Sequence, residues 1–348
     1  MLSTCLCFLE AVLSRRLLRL ALASSLLALP ATTFASSDWF ASVYSPKGVE
    51  IRADERLFTL FATLNALGYD DAPIARKDPL PRYEFSPVRT EVRQALATLD
   101  PKLKAQVNAF FDAHPLPLAK YAAYAAQLGP APDFTAPASA QPAELHGFEK
   151  QLAAVYRAAN VQALFAAVQD AYRADTKSYI AAIDGPLFQA RKLLHDPAGR
   201  TIIAVNDLDG RGAAEAVPLG ADALLVLGPA SKPDVQGAVR AYARLVLDPL
   251  VAKRASALKG AAEQAAVVRG SGGPALDGAA DYASELLARA IAIQVASQNP
   301  TADEDAALKQ GFAGIKEAVH AVAELGKPDR PLDQVVPDVL ARIELHKR

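Results

Sequence analysis

The sequence has little sulfur, few aromatic residues and no excess of charge of either sign. Its 348 residues include two cysteines and one methionine, and 7% of them are aromatic. The 37 lysines and arginines nearly balance the 38 aspartates and glutamates, which leaves a net charge of −1. Nucleic-acid binding needs a clustered basic surface, and this balance argues against it. A hydrophobic content of 51% with 22% charged residues excludes a wholly disordered chain.

The N-terminal residues are typical of a secretory signal peptide. Arg15, Arg16 and Arg19 precede an apolar run over residues 20–29, and Thr33-Phe34-Ala35 provides a small-x-Ala cleavage site. We therefore predict a signal peptide over residues 1–35 and a periplasmic or secreted protein over residues 36–348. An uncleaved anchor is the alternative. The apolar stretch 17–29 is, however, shorter than the roughly 20 residues that span a bilayer, so we expect no membrane span after cleavage.

Cleavage at this site would remove all the sulfur from the chain. Cys5, Cys7 and Met1 all lie in the predicted signal peptide. The mature protein would then have no disulfide, no cysteine nucleophile and no thiolate metal ligand. Its stability would have to come from packing.

The hydrophobic pattern predicts a mostly helical α+β fold in a single domain, residues 36–348. A Pro- and Ala-rich segment, 129–142, is interpreted as a loop within this domain, with a linker as the alternative. A short strand is expected at 49–51, and three β-branched or apolar runs, 201–205, 213–217 and 223–227, predict a small antiparallel meander. Helices are expected at 55–67, 88–99, 102–113, 118–128, 143–182 (interrupted near 160), 186–195, 233–257, 277–297, 301–325 and 332–346.

Two short motifs resemble binding loops without completing one. Asp207-Leu208-Asp209-Gly210 resembles the start of a calcium loop but lacks the later ligands, so we interpret it as a solvated hairpin turn. Gly270-Ser271-Gly272-Gly273 lacks the lysine of a phosphate-binding loop and is interpreted as a loop between helices. The five histidines, His114, His146, His195, His320 and His346, contain no pair at i, i+4, so we predict no metal site and no cofactor.

The most informative region is the predicted meander followed by two helices. The first helix carries Arg240-Ala241-Tyr242-Ala243-Arg244 and then Asp248-Pro249, and the second carries Glu285 four residues before Arg289-Ala290-Ile291. This order resembles exported bacterial zincin-like (gluzincin-type) metallopeptidase domains of uncharacterised function. Their first helix reads His-Glu-x-x-His with a trailing Asn-Pro, and their later helix supplies a glutamate ligand.

The resemblance, which covers roughly residues 201–295, implies a vestigial cleft. Arg240 and Arg244 stand where the two zinc-binding histidines would be, Ala241 where the general base would be, and Glu285 on the third ligand. Guanidinium groups stay protonated and repel a dication, and alanine cannot accept a proton from water. The chemistry of these residues therefore predicts that no zinc-dependent hydrolysis takes place here.

Three uses of Arg240 and Arg244 remain open at this point. They form a salt-bridge cluster with Glu285, they bind an anionic group such as a peptide C-terminus, or they are solvated on an exposed helix face. The favoured function is a catalytically inactive, zincin-like exported protein that binds a peptide or envelope protein through the former cleft. The alternatives are a hydrolase using carboxylates such as Glu285 with Asp277 or Asp281, and a purely helical scaffold that would lack strands at 201–227.

Overall fold

A computed structural model describes residues 43–45, 47–69, 86–195, 199–210, 213–230, 232–254, 258, 260–327 and 330–343. These residues belong to one compact unit, Phe40–Arg348. The predicted signal peptide and most of the connection over residues 71–87 lie outside the described residues. In the described part of the chain, no helix is long and apolar enough to cross a membrane.

The strands form one mixed sheet in the order β1-β2-β3-β5-β4. Neighbours β2, β3 and β5 are parallel, while β1 and β4 are antiparallel strands at the two ends. The strands are β1 (Val43–Tyr44), β2 (Val49–Arg52), β3 (Thr201–Val205), β4 (Ala214–Leu219) and β5 (Asp222–Leu227).

The predicted antiparallel meander is therefore wrong, although all three of its strands exist. β3 pairs in parallel with β5, and only β4 and β5 form a hairpin. The reason lies in burial: β3 is buried at every position and β5 at all but its first, which is typical of central parallel strands. β4 has several exposed positions and contains Pro218, which suits an end strand.

The helices cover both faces of the sheet. Those before β3 are α1 (Glu55–Ala66), α2 (Pro87–Ala95), α3 (Pro101–Ala113), α4 (Leu118–Gln127), α5 (Phe148–Ala158), α6 (Val161–Ala167) and α7 (Gln169–Leu193). Those after β5 are α8 (Val235–Ala252), α9 (Ala261–Gly270), α10 (Ala279–Ala296), α11 (Pro300–Lys309), α12 (Ile315–Ala321) and α13 (Leu332–Arg342). Short 3₁₀ turns occur at Leu96–Thr98, Ala143–Leu145 and Val322–Gly326.

Several helix starts follow the expected capping chemistry. The side chains of Asp54, Ser86 and Asp100 accept hydrogen bonds from backbone N–H groups in the first turns of α1, α2 and α3. Pro87 and Pro101 occupy the first helical positions, where a missing N–H does no harm. The predicted N-termini of these helices are confirmed to within one residue.

Three helices differ from the expectation. α7 continues through Pro186 because Tyr179, Ile183 and Leu187 form one buried stripe across it. The expected helix 301–325 is broken at Gly311, whose φ of +91° and close approach to the backbone of Val268 both require glycine. The short Ala-rich helix α9 was not predicted, since no helix was expected between residues 257 and 277.

Alternating side chains of the central strands supply two separate hydrophobic cores. Ile203 and Leu225 pack with α7, α8, α10, α12 and α13 on one face. Ile202 and Leu224 pack with α1 and the other early helices on the opposite face, where Phe134 of the loop 129–142 is also buried. The sheet thus separates an early helical layer from a late one, and the predicted site lies on the late side.

Candidate functional site

Two helices of the late layer bring all the predicted site residues into one place. Arg240, Arg244 and Asp248 recur every four residues along α8, which places them on one face. On α10, Asp281, Glu285 and Arg289 recur in the same way. Ion pairs join the two stripes directly, so the six charged side chains form one cluster, which we call the arginine–carboxylate cluster.

Arg244 occupies the centre of this cluster. Its Nε and Nη2 donate to the two oxygens of Asp248 at 2.7 and 3.2 Å, and its Nη1 donates to Glu285 Oε2 at 3.1 Å. Nη2 also donates to Asp281. Burial by itself would lower the pKa of Arg244, but the hydrogen bonds with Asp248 and the charges of the three carboxylates outweigh it and raise the pKa. The Arg244 guanidinium is therefore permanently charged and paired with three carboxylates.

Glu285 is the shared partner of three arginines. Its side chain is only 8% exposed. Oε1 accepts from Arg289 Nε at 2.7 Å and lies 3.7 Å from Arg240 Nε, while Oε2 accepts from Arg244. A buried carboxylate is tolerated when it is paired and hydrogen-bonded in this way. Both oxygens of Glu285 therefore accept hydrogen bonds from arginines.

Arg289 is fixed on its other side by α11 and the segment after it. Nη1 donates to Gln310 Oε1 at 2.9 Å, and the guanidinium lies 4.3 Å from the centre of the Phe312 ring. Burial lowers the pKa of Arg289, and Arg240 acts in the same direction against the opposing charge of Glu285. Arg289 is therefore a structural member of the cluster.

A cleft of about 510 Å³ opens beside the cluster. Residues of β4 and α8 line it, together with Glu285 and Arg289 of α10. The space exists because the facing positions are small: Ala214 and Ala216 on β4, and Ala241 on α8. A second cavity of about 160 Å³ lies between α8, α10 and α11. Arg240 and Arg289 line both spaces.

For Arg244 the geometry decides among the three uses that the sequence leaves open. A solvated helix face is excluded for Arg244, which is 24% exposed and bonded to three carboxylates. The salt-bridge cluster is what the structure contains. Across the six side chains the three positive charges equal the three negative ones. Asp281, the third acidic partner of Arg244, lies four residues before Glu285 in the sequence. This spacing places both carboxylates on one helix face and could have identified Asp281 as a partner.

The four residues Asp207 to Gly210 do not form the solvated hairpin turn that we expected. They follow β3, which does not pair with β4, and Asp207 is only 1% exposed. Ser86 and Arg89 of the early layer donate to the carbonyls of Asp207 and Leu208 at 2.6 and 2.7 Å. Apart from the aspartate-glycine composition, no sequence signal marked this turn as buried, because the covering residues come from more than 100 positions away.

The glycine-rich segment and three of the histidines have ordinary structural surroundings. Gly270 ends α9, and Ser271, Gly272 and Gly273 connect it to α10 as an interhelical loop. His114, His146 and His195 each lie within hydrogen-bond distance of a backbone carbonyl. Within the residues that the structure describes, no group of three potential ligands is placed to hold a metal ion.

Comparison with protein-family models, with curated proteins and with solved structures found no match to this chain. The function must therefore be argued from the arginine–carboxylate cluster and the cleft beside it.

Proposed function

We propose that this chain is a catalytically inactive, zincin-like exported protein that binds a peptide segment in the cleft between β4 and α8. The observation that carries the proposal is the position of Arg244. Its guanidinium lies between α8 and Glu285, where the zincin-like pattern would place the metal. A permanent cation held by three carboxylates supplies there the positive charge that a zinc ion would otherwise supply.

The absence of a catalytic constellation at this position supports the proposal. Metal ligands must be neutral or anionic, and Arg240 and Arg244 are neither. Ala241, which lines the cleft, has no group that accepts a proton.

The form of the cleft supports binding of an extended peptide. β4 pairs with β5 along one edge, and its other edge carries no strand in the described part of the chain. A free strand edge offers backbone N–H and C=O groups to an added strand. The small side chains of Ala214 and Ala216 leave room for the side chains of such a strand, and the predicted export would expose the cleft to envelope peptides and proteins.

The alternative hydrolase with a carboxylate site is less well supported. Glu285 and Asp281 both bind Arg244, and Asp281 also accepts a hydrogen bond from the backbone of Asp277 at 2.8 Å. These carboxylates are engaged as partners of the arginine. The strands Thr201–Val205, Ala214–Leu219 and Asp222–Leu227 contradict the purely helical fold on which the other alternative, a scaffold protein, was based.

Back-substitution tests the proposed origin of the site. We expect the wild-type protein to contain no stoichiometric zinc and to cleave no generic peptide substrate. The triple variant R240H/A241E/R244H is expected to bind about one zinc ion per chain, because two imidazoles and Glu285 then form a three-ligand site. Metal content is measured by inductively coupled plasma mass spectrometry after dialysis.

A matched control separates this site from any pair of histidines on a helix. The variant R173H/K177H places two histidines at i, i+4 on exposed positions of α7, without a carboxylate from a second helix. We expect it to retain no zinc. Equal zinc in the two variants contradicts the zincin-like geometry, and stoichiometric zinc with peptidase activity in the wild type contradicts the inactive assignment.

A further inference from the structure

Arg240 makes fewer polar contacts with the described residues than the other two arginines of the cluster do. Its one ionic contact within the described residues is with Glu285 Oε1, at 3.7 Å from Nε, and that oxygen already accepts from Arg289 Nε at 2.7 Å. The Arg240 side chain is 34% exposed, against 15% for Arg289. The guanidinium therefore presents donors to the two cavities that it lines.

From this arrangement we propose that Arg240 binds the free C-terminal carboxylate of a peptide in the cleft. A carboxylate fits a guanidinium through two parallel hydrogen bonds. The inference rests on the proposed function, since it assumes that a peptide occupies the cleft beside β4, and it adds which end of that peptide is recognised.

The charge around Arg240 argues against an anion with two negative charges. The six side chains of the cluster balance one another, so the cluster has no positive excess to offer a phosphate dianion. Glu215 of the cleft and Asp303 of the smaller cavity add negative charge nearby. A singly charged anion at Arg240 would have to be held by hydrogen bonds from this guanidinium, which a carboxylate accepts in pairs.

The size of the smaller cavity favours a chain terminus over a passing chain. Arg240 also lines a space of only about 160 Å³, whose other walls include Ala292, Ala306 and Ala307. It admits a side chain but not a continuing strand. Gln310, whose Oε1 accepts from Arg289, lines the same space. A peptide that runs along the cleft would therefore end at Arg240.

The test uses an N-acetylated pentapeptide library of Ala, Val, Leu, Ser and Thr, prepared as free acids and as C-terminal amides. We expect the purified wild-type protein to bind the free acids about 10-fold more tightly in native mass spectrometry, the effect of one charge-assisted interaction. In Arg240→Gln this preference should vanish, so that free acids and amides bind equally. Arg157→Gln, which removes an exposed arginine paired with Asp133, should keep the preference.

A third arm distinguishes the two sources of a carboxylate. Amidated peptides with one internal Asp are expected to bind no better than the other amides, and binding as tight as the free acids contradicts recognition of the terminus. Equal binding of acids and amides, or a preference that survives in Arg240→Gln, overturns this inference and leaves the peptide-binding function standing. Binding of neither form overturns both.

Discussion

Replacing Arg244 with alanine is expected to lower the free energy of unfolding by about 2–4 kcal/mol, somewhat less than for a fully buried ion pair because the partners are partly exposed. The variant leaves Asp248, Asp281 and Glu285 facing one another without their common partner. Glu285 is the least exposed of the three and keeps only Arg289 and the distant Arg240. Urea unfolding monitored by circular dichroism measures the loss.

Controls for Arg244 exist within the same chain. Arg173→Ala removes an exposed arginine paired with Asp170 at i, i+3, and we expect a change within about 0.5 kcal/mol. Adding Glu285→Gln to Arg244→Ala should recover part of the stability, because it removes one uncompensated carboxylate. A loss in Arg244→Ala no larger than that in Arg173→Ala would show that the cluster is solvated.

Asp207→Asn is expected to flatten the dependence of stability on pH. Burial is the main cause that raises the pKa of Asp207 from 3.8 to about 8, and the neighbouring Asp175 carboxyl raises it further. The side-chain oxygens of Asp207 have no donor among the described residues. A buried carboxylate without donors is costly to ionise, so we expect the folded protein to retain a proton at Asp207.

The sign of the effect follows from the raised pKa. Between about pH 4 and pH 8 the unfolded chain loses the Asp207 proton and the folded chain keeps it, so the stabilisation present below pH 4 is lost as the pH rises. Asparagine does not titrate. Above pH 8 we therefore expect Asp207→Asn to be more stable than the wild type. The gain is at most about 1.4 kcal/mol for each pH unit that separates the pKa of Asp207 in the folded chain from that in the unfolded chain.

Unfolding curves at pH 5, 7 and 9 measure this difference. Asp170→Asn is the matched control, because the side chain of Asp170 is 97% exposed on α7. Its pH profile should be parallel to that of the wild type. If the stability of Asp207→Asn relative to the wild type does not increase from pH 5 to pH 9, the buried carboxyl is not protonated in the folded protein.

Local patterns in the sequence were reliable wherever neighbouring residues decide the structure. The caps at Asp54, Ser86 and Asp100 depend on contacts two or three positions away, and the starts of the helices that they cap were predicted to within one residue. The pairing of Arg244 with Glu285 was one of three uses that the sequence left open, and only the structure selected it. The spacing of Arg240, Arg244 and Asp248 also placed them on one face of α8, because an α-helix repeats about every four residues.

Long-range pairing was the source of the errors. β3 and β5 are parallel neighbours because β4 lies at the end of the sheet and not between them. The sequences of β3 and β5 are similarly apolar and do not reveal this order. The burial of Asp207 depends on Ser86 and Arg89, more than 100 positions earlier. Neither contact leaves a periodic trace in the sequence.

The sequence by itself determined the kinds of group available: two arginines without a proton acceptor beside them, and a helix with acids at matching intervals. Only the packing of α8 against α10 decided that Arg244 is enclosed by three carboxylates while Arg240 is left at the junction of two cavities. The spacing of charged residues along one helix depends only on neighbouring residues. The pairing of Arg244 with Asp281 and Glu285 joins side chains about forty positions apart, which come together only in the folded chain.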